Sequence, residues 1–232
     1  MISDVHIHLG ERPEINRTLT IQDLHEYIDA NNISTAVLID TNKPRLEALT
    51  HDNDNIYGFQ WITERDTSKD LILDKKIIGC KFHGGFGNYP RPSIDVLECL
   101  NDIKGILLMH TGRYKDGNIL SNSSYLHSIS IAKEYPNIKV IMAHMGGTDT
   151  NICKAAIDES VSMPNVYFDT SGITTPYIIE YAVEKISSER IMFGSDIPWC
   201  SFKSMFYTVN EARIPAKYKG NIFHHSLELL KK

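Results

Sequence analysis

Eight short apolar runs recur from one end of this chain to the other, each separated from the next by a stretch with helical spacing or capping signals. The runs fall at residues 2–8, 35–39, 56–62, 77–82, 105–110, 139–143, 166–169 and 190–193. They are rich in Val, Ile and aromatic residues and nearly continuous, the pattern of strands buried on both faces. Between them, Thr20 can cap a helix carrying Ile21, Leu24, His25 and Ile28 at i, i+3, i+4 and i+7. Ser93 can cap another carrying Ile94, Leu97 and Leu100, and Pro176 suits the first turn of a helix over 176–186. The second and third crossovers, around 44–50 and 68–74, are short. Residues 202–232 should hold the eighth helix and a closing segment.

Eight βα units without a compositional break predict an α/β protein, a single (β/α)8 TIM barrel spanning residues 1–232 as one domain. A chain of 232 residues is compact for that fold. A doubly wound open sheet is the rival, but neither G-x-G-x-x-G nor a P-loop supports it.

Barrel active sites lie at the C-terminal ends of the strands. Four runs end there in metal-ligand chemistry: His8, His110, His144 and Asp196. Strict alternation along the first strand would turn His6 and His8 the same way, with Asp4 beside them. Imidazoles and a carboxylate at one place suit a divalent ion, zinc foremost. Asp196 can serve as ligand and as proton shuttle for a metal-bound water. His25, His51, His127, His224 and His225 fall in helix or loop contexts and read as structural or exposed.

Arg12 and Arg113 follow the first and fifth strands, where a guanidinium either grips a substrate carboxylate or phosphate or simply covers surface. Trp199, just after Asp196, either walls the pocket or packs on the rim.

The motifs Asp4-Val5-His6-Ile7-His8, Gly79-Cys80-Lys81-Phe82-His83, Met109-His110-Thr111, Ala143-His144-Met145-Gly146-Gly147 and Gly194-Ser195-Asp196-Ile197-Pro198-Trp199 resemble the amidohydrolase superfamily. More narrowly, they resemble its branch related to aminocarboxymuconate-semialdehyde decarboxylase. The resemblance implies His6, His8, His110 and Asp196 as ligands of one ion, zinc or else manganese or iron. His144 is then either an acid/base group beside the substrate or a ligand of a second ion, with the former favoured. Asp4 either orients a histidine or is a buried structural carboxylate. Lys81 is either a carbamylated bridge, an ammonium for a substrate carboxylate, or a core lysine. His83 either lines the pocket or is structural.

Hydrolysis of a small amide, cyclic amide, lactone or ester by metal-activated water is the leading expectation. Non-oxidative decarboxylation of an unsaturated or aromatic acid is the alternative, with Asp196 or His144 protonating the carbon. TatD-type deoxyribonucleases share the H-x-H opening, but resemble a pattern with Glu where this chain has Cys80-Lys81. A net charge of −5 also gives a nucleic acid or anionic membrane no grip. The expected partner is a small, carboxylated substrate, and the oligomeric state stays open, a homodimer included. Four scattered cysteines and a first strand starting almost at Met1 suggest a cytoplasmic enzyme.

Overall fold

The computed structural model describes residues 1–86, 89–112, 122–225 and 228. Its main sheet has eight strands in sequential order: β1 (Ile2–His8), β4 (Ile33–Asp40), β5 (Ile56–Ile62), β6 (Ile77–Phe82), β7 (Ile106–Met109), β8 (Lys139–Met142), β9 (Val166–Asp169) and β10 (Ile191–Met192). All neighbours pair in parallel. The last strand returns to the first: Val5 N–H donates to Phe193 O at 3.0 Å, Asp196 N–H to His6 O at 2.8 Å and His8 N–H to Ile197 O at 2.9 Å. Sequential order with closure is a (β/α)8 TIM barrel; a doubly wound sheet would reverse direction midway.

Period-two strands divide their side chains between two cores. Val5, Val37, Ile39, Phe59, Leu108, Ile141 and Met192 fill the barrel interior. Alternate residues such as Leu38, Cys80, Leu107 and Val140 face the helices. Those helices are α1 (Ile21–Ala30), α2 (Lys43–Asp52), α3 (Ile94–Asp102), α4 (Tyr125–Glu134), α5 (Thr150–Glu159), α6 (Pro176–Ile186), α7 (Phe202–Glu211) and α8 (Ala216–Gly220). Thr20 caps α1 in a reciprocal box with Asp23, and Ser93 Oγ accepts from Val96 N–H at the start of α3. None of the described helices is long and apolar enough to cross a membrane.

Three features depart from the sequence pattern. The third crossover forms only a 3-10 turn at Ser68–Asp70. Buried Gln60 of β5 does a helix's work there, donating to Asp70 O at 2.9 Å and accepting from Ile72 N–H at 2.8 Å. After β1 the chain makes a small hairpin of β2 (Gly10–Arg12) and β3 (Arg17–Leu19), turning through left-handed Asn16. Within β1 the register slips between Asp4 and Ile7. That bulge sends Asp4 outward, where its Oδ2 accepts from the α1 hydroxyl of Tyr27 at 2.5 Å, while its Oδ1 accepts from His6 N–H at 3.1 Å and Ser195 N–H at 2.9 Å. Asp4 therefore ties β1 to the β10 end and to α1, and among the described residues its carboxylate is hydrogen-bonded to no imidazole.

Candidate active site

The bulge in β1 leaves His6 and His8 converging at the mouth. Asp196 follows β10 in a left-handed conformation, φ 58°, fixed by its N–H on His6 O. These three side chains form a buried donor cluster. His6 Nε2 stands 3.1 Å from His8 Nε2 and 3.5 Å from Asp196 Oδ1, and His8 Nε2 lies 3.2 Å from Asp196 Oδ1. Ligands about 2.0–2.1 Å from a tetrahedral ion are separated by about 3.3 Å, so the triangle has the dimensions of one coordination sphere. Burial first, then the Lys81 charge, pushes His6 down to about 4 and His8 well below its usual range. Both rings are therefore neutral near pH 7, the form that binds metal.

His110 stands outside this cluster. Burial and the neighbouring His83 and His144 keep it well below the ordinary histidine range. Its Nδ1 lies 3.1 Å from His144 Nε2, and its ring stacks on His83 with centroids 3.7 Å apart and planes at 9°. His83 in turn faces Trp61 at 6.1 Å, and Trp61 faces His8 at 6.2 Å. Flat rings thus form a collar around the mouth.

Lys81 comes from β6, fully buried, with Nζ 3.5 Å from His6 Nε2. Burial pulls its ammonium down to about 8, against the attraction of Asp169 and Asp196.

Beneath the cluster is a network absent from the sequence expectations. His6 Nδ1 lies 2.8 Å from Asp169 Oδ2, at the end of β9. Burial would raise Asp169, but the His6 charge and hydrogen bond, with His144 and Ser171, hold it well below the carboxylate range. Asp169 Oδ1 accepts from His144 N–H at 3.0 Å, Ser171 N–H at 3.0 Å and Ser171 Oγ at 2.5 Å. His144 Nδ1 sits 2.8 Å from Ser171 Oγ and 3.0 Å from Ser171 O. The carbonyl fixes Nδ1 as the protonated nitrogen and leaves Nε2 as the working end. His144 and Met145 are both left-handed, φ 56° and 53°, a strained turn of the kind that gathers at functional sites. The signal for Asp169 was visible: its strand ends in an acid, as does the run to Asp196.

The remaining expected residues are more peripheral. Arg12, on the hairpin, donates to Glu11 O at 2.6 Å and Leu9 O at 3.2 Å. Trp199, 39% exposed, lies on the turn after Asp196 and donates its N–H to Asp196 O at 2.8 Å. Arg113 lies outside the described residues.

A family model described as Amidohydrolase matches residues 4–232. A comparison with curated proteins finds no match. Among solved structures, 5-carboxyvanillate decarboxylase from Sphingomonas paucimobilis aligns over 99% of this chain and 98% of its own, with TM-score 0.76 and 12% identity. An amidohydrolase from Burkholderia multivorans with bound zinc aligns over 100% and 99%, with TM-score 0.76 and 15% identity. A dihydroxybenzoic acid decarboxylase from Polaromonas sp. JS666, with bound manganese and the inhibitor 2-nitroresorcinol, aligns over 100% and 97%, with TM-score 0.69 and 15% identity. At these identities the likeness is one of fold.

Proposed function

Because the chain belongs to the amidohydrolase family, we propose that it is a metal-dependent, non-oxidative decarboxylase of a small carboxylated aromatic or unsaturated acid. The observation that carries this reading is Lys81, a buried ammonium opening on the donor cluster inside a collar of flat rings. A desolvated cation is a handle for a carboxylate, and stacked rings suit a planar acid. The decarboxylases among the structural neighbours support the same chemistry.

His6, His8 and Asp196 would hold the ion, with His110 as the fourth donor that the family resemblance implies. Zinc, manganese or iron there would supply Lewis acidity toward an oxygen of the acid. Lys81 would fix the departing carboxylate. His144 as the imidazolium, with its Nδ1 proton held by the Ser171 carbonyl, would deliver its second proton from Nε2. The bond between the ring carbon and the carboxylate carbon breaks, and its electron pair stays on the ring carbon. The proton from His144 fills that position, carbon dioxide leaves, and solvent reprotonates the imidazole.

Sequence considerations put hydrolysis first; the Lys81 handle and the decarboxylase neighbours reverse the order. Hydrolysis is the second reading, favoured by the zinc-bound amidohydrolase neighbour. Asp196 would then take the proton of the attacking water.

Turnover of carboxylated aromatics in 18O-labelled water separates the two. Decarboxylation releases carbon dioxide and leaves no label in the organic product. His144→Ala should keep its metal and slow turnover about 100-fold or more, the usual worth of a positioned acid. Label in the organic product would establish hydrolysis instead.

A further inference from the structure

One hydroxyl stands beneath both the donor cluster and His144. Ser171, fully buried, lies in the turn after β9 that Ile173 N–H closes on Thr170 O at 3.2 Å. Its Oγ is 2.5 Å from Asp169 Oδ1, 2.8 Å from His144 Nδ1 and 3.2 Å from His6 Nδ1. The two rings it meets lie alongside each other, with centroids 5.5 Å apart and planes at 28°. His6 comes from β1 and His144 from the turn after β8, strands that are not neighbours in the barrel. The serine is their common partner.

The direction of each bond follows from the count of donors. A hydroxyl has one proton to give and two lone pairs. Asp169 Oδ1 already accepts from the His144 and Ser171 N–H groups, both at 3.0 Å, so it is an acceptor and takes the hydroxyl proton too. Ser171 Oγ then has only lone pairs to offer the imidazoles. His144 Nδ1 must therefore carry a proton, as its 3.0 Å approach to Ser171 O also demands. His6 Nδ1 likewise donates, chiefly to Asp169 Oδ2 at 2.8 Å. Gly172 makes room for this: its φ is +67°, and a Cβ there would stand 3.2 Å from His144 Nδ1.

We propose that Ser171 is a positioning residue, whose hydroxyl links His144 Nδ1 to Asp169 and so aims Nε2 of that ring at the substrate while the same carboxylate holds His6 for the ion. Metal holding and proton delivery then share one carboxylate through different oxygens. Oδ2 serves His6 directly, and Oδ1 serves His144 by way of Ser171. Proton delivery rests on the decarboxylase reading; the linkage of the two histidines does not. Removing the hydroxyl leaves the bond between His6 and Asp169 in place, so it separates the two tasks.

The test is Ser171→Ala, made alone and on the His144→Ala background, in the zinc-loaded protein. With a carboxylated aromatic that wild type decarboxylates, Ser171→Ala should lower kcat about tenfold or more, the worth of one hydrogen bond to an ionised group. KM and zinc content should not change. Added to His144→Ala it should lower kcat no further, because a residue that acts through a ring has nothing to act on once the ring is gone. Nitrogen-15 histidine spectra read the same linkage without turnover. The neutral His144 ring, assigned by its loss in His144→Ala, should be protonated at Nδ1 alone in wild type and show both tautomers in Ser171→Ala. Gly172→Ala, which keeps the hydroxyl and crowds Nδ1, should give the same mixed spectrum and serves if Ser171→Ala does not fold. An unchanged tautomer in the folded variants, loss of zinc with the hydroxyl, or a full further drop in the double variant would overturn the role. Mixed tautomers in a protein that releases no carbon dioxide from any acid would leave Ser171 as the link and remove the decarboxylase.

Discussion

His6 Nδ1 and Asp169 Oδ2 lie 2.8 Å apart, both side chains buried, so the carboxylate at the end of β9 orients the imidazole at the mouth of β1. The bond fixes the tautomer and leaves Nε2 bare toward His8 and Asp196.

Asp169→Asn keeps the shape of that side chain and removes its charge. Metal affinity should fall about 10–100-fold, as when the partner of a ligating histidine is lost. Competitive titration against a chromophoric chelator measures it. Wild-type affinity in a folded variant would show that Asp169 does not orient a ligand.

Acid should destabilise the metal-free protein. His6 has a folded value of about 4 against 6.5 for a free side chain, with burial the main cause. Between those values the unfolded chain binds more protons than the folded one, so stability is fullest above pH 6.5 and falls as pH drops toward 4. His8 and His110 are shifted in the same direction and reinforce the trend. Thermal melts across that range should show a steadily falling midpoint; a flat profile would contradict the neutral, buried state of these rings.

Tyr27→Phe separates scaffold from site. It removes the donor to Asp4 Oδ2 and should cost about 1–3 kcal/mol, the penalty for a buried polar atom left unsatisfied. Denaturant unfolding gives the cost, and metal content should not change. Loss of metal with unaltered stability would instead place Asp4 in the donor network.

The barrel was legible because each strand is a short apolar run whose period survives in one dimension. Asp4 shows where this ends: strict alternation sets it beside His6, yet one extra residue in the β1 register turns it toward Tyr27. A bulge leaves no mark in residue types. The third crossover holds only a 3-10 turn, its backbone satisfied by Gln60, an amide on the preceding strand that alternates with the inward Phe59. Asp169 and Ser171 act through partners more than twenty residues away, so only the folded chain joins them to His6 and His144. His6, His8 and Asp196 were readable because each closes or nearly closes an apolar run, and the barrel gathers such ends at one face.

The metal content of the purified protein, by mass spectrometry of metals after exhaustive dialysis, tests the central claim most directly. Wild type should retain zinc, manganese or iron, and His6→Ala and Asp196→Ala, both folded, should lose it. A folded wild type that takes up none of these ions, or variants that hold them as tightly, would contradict it.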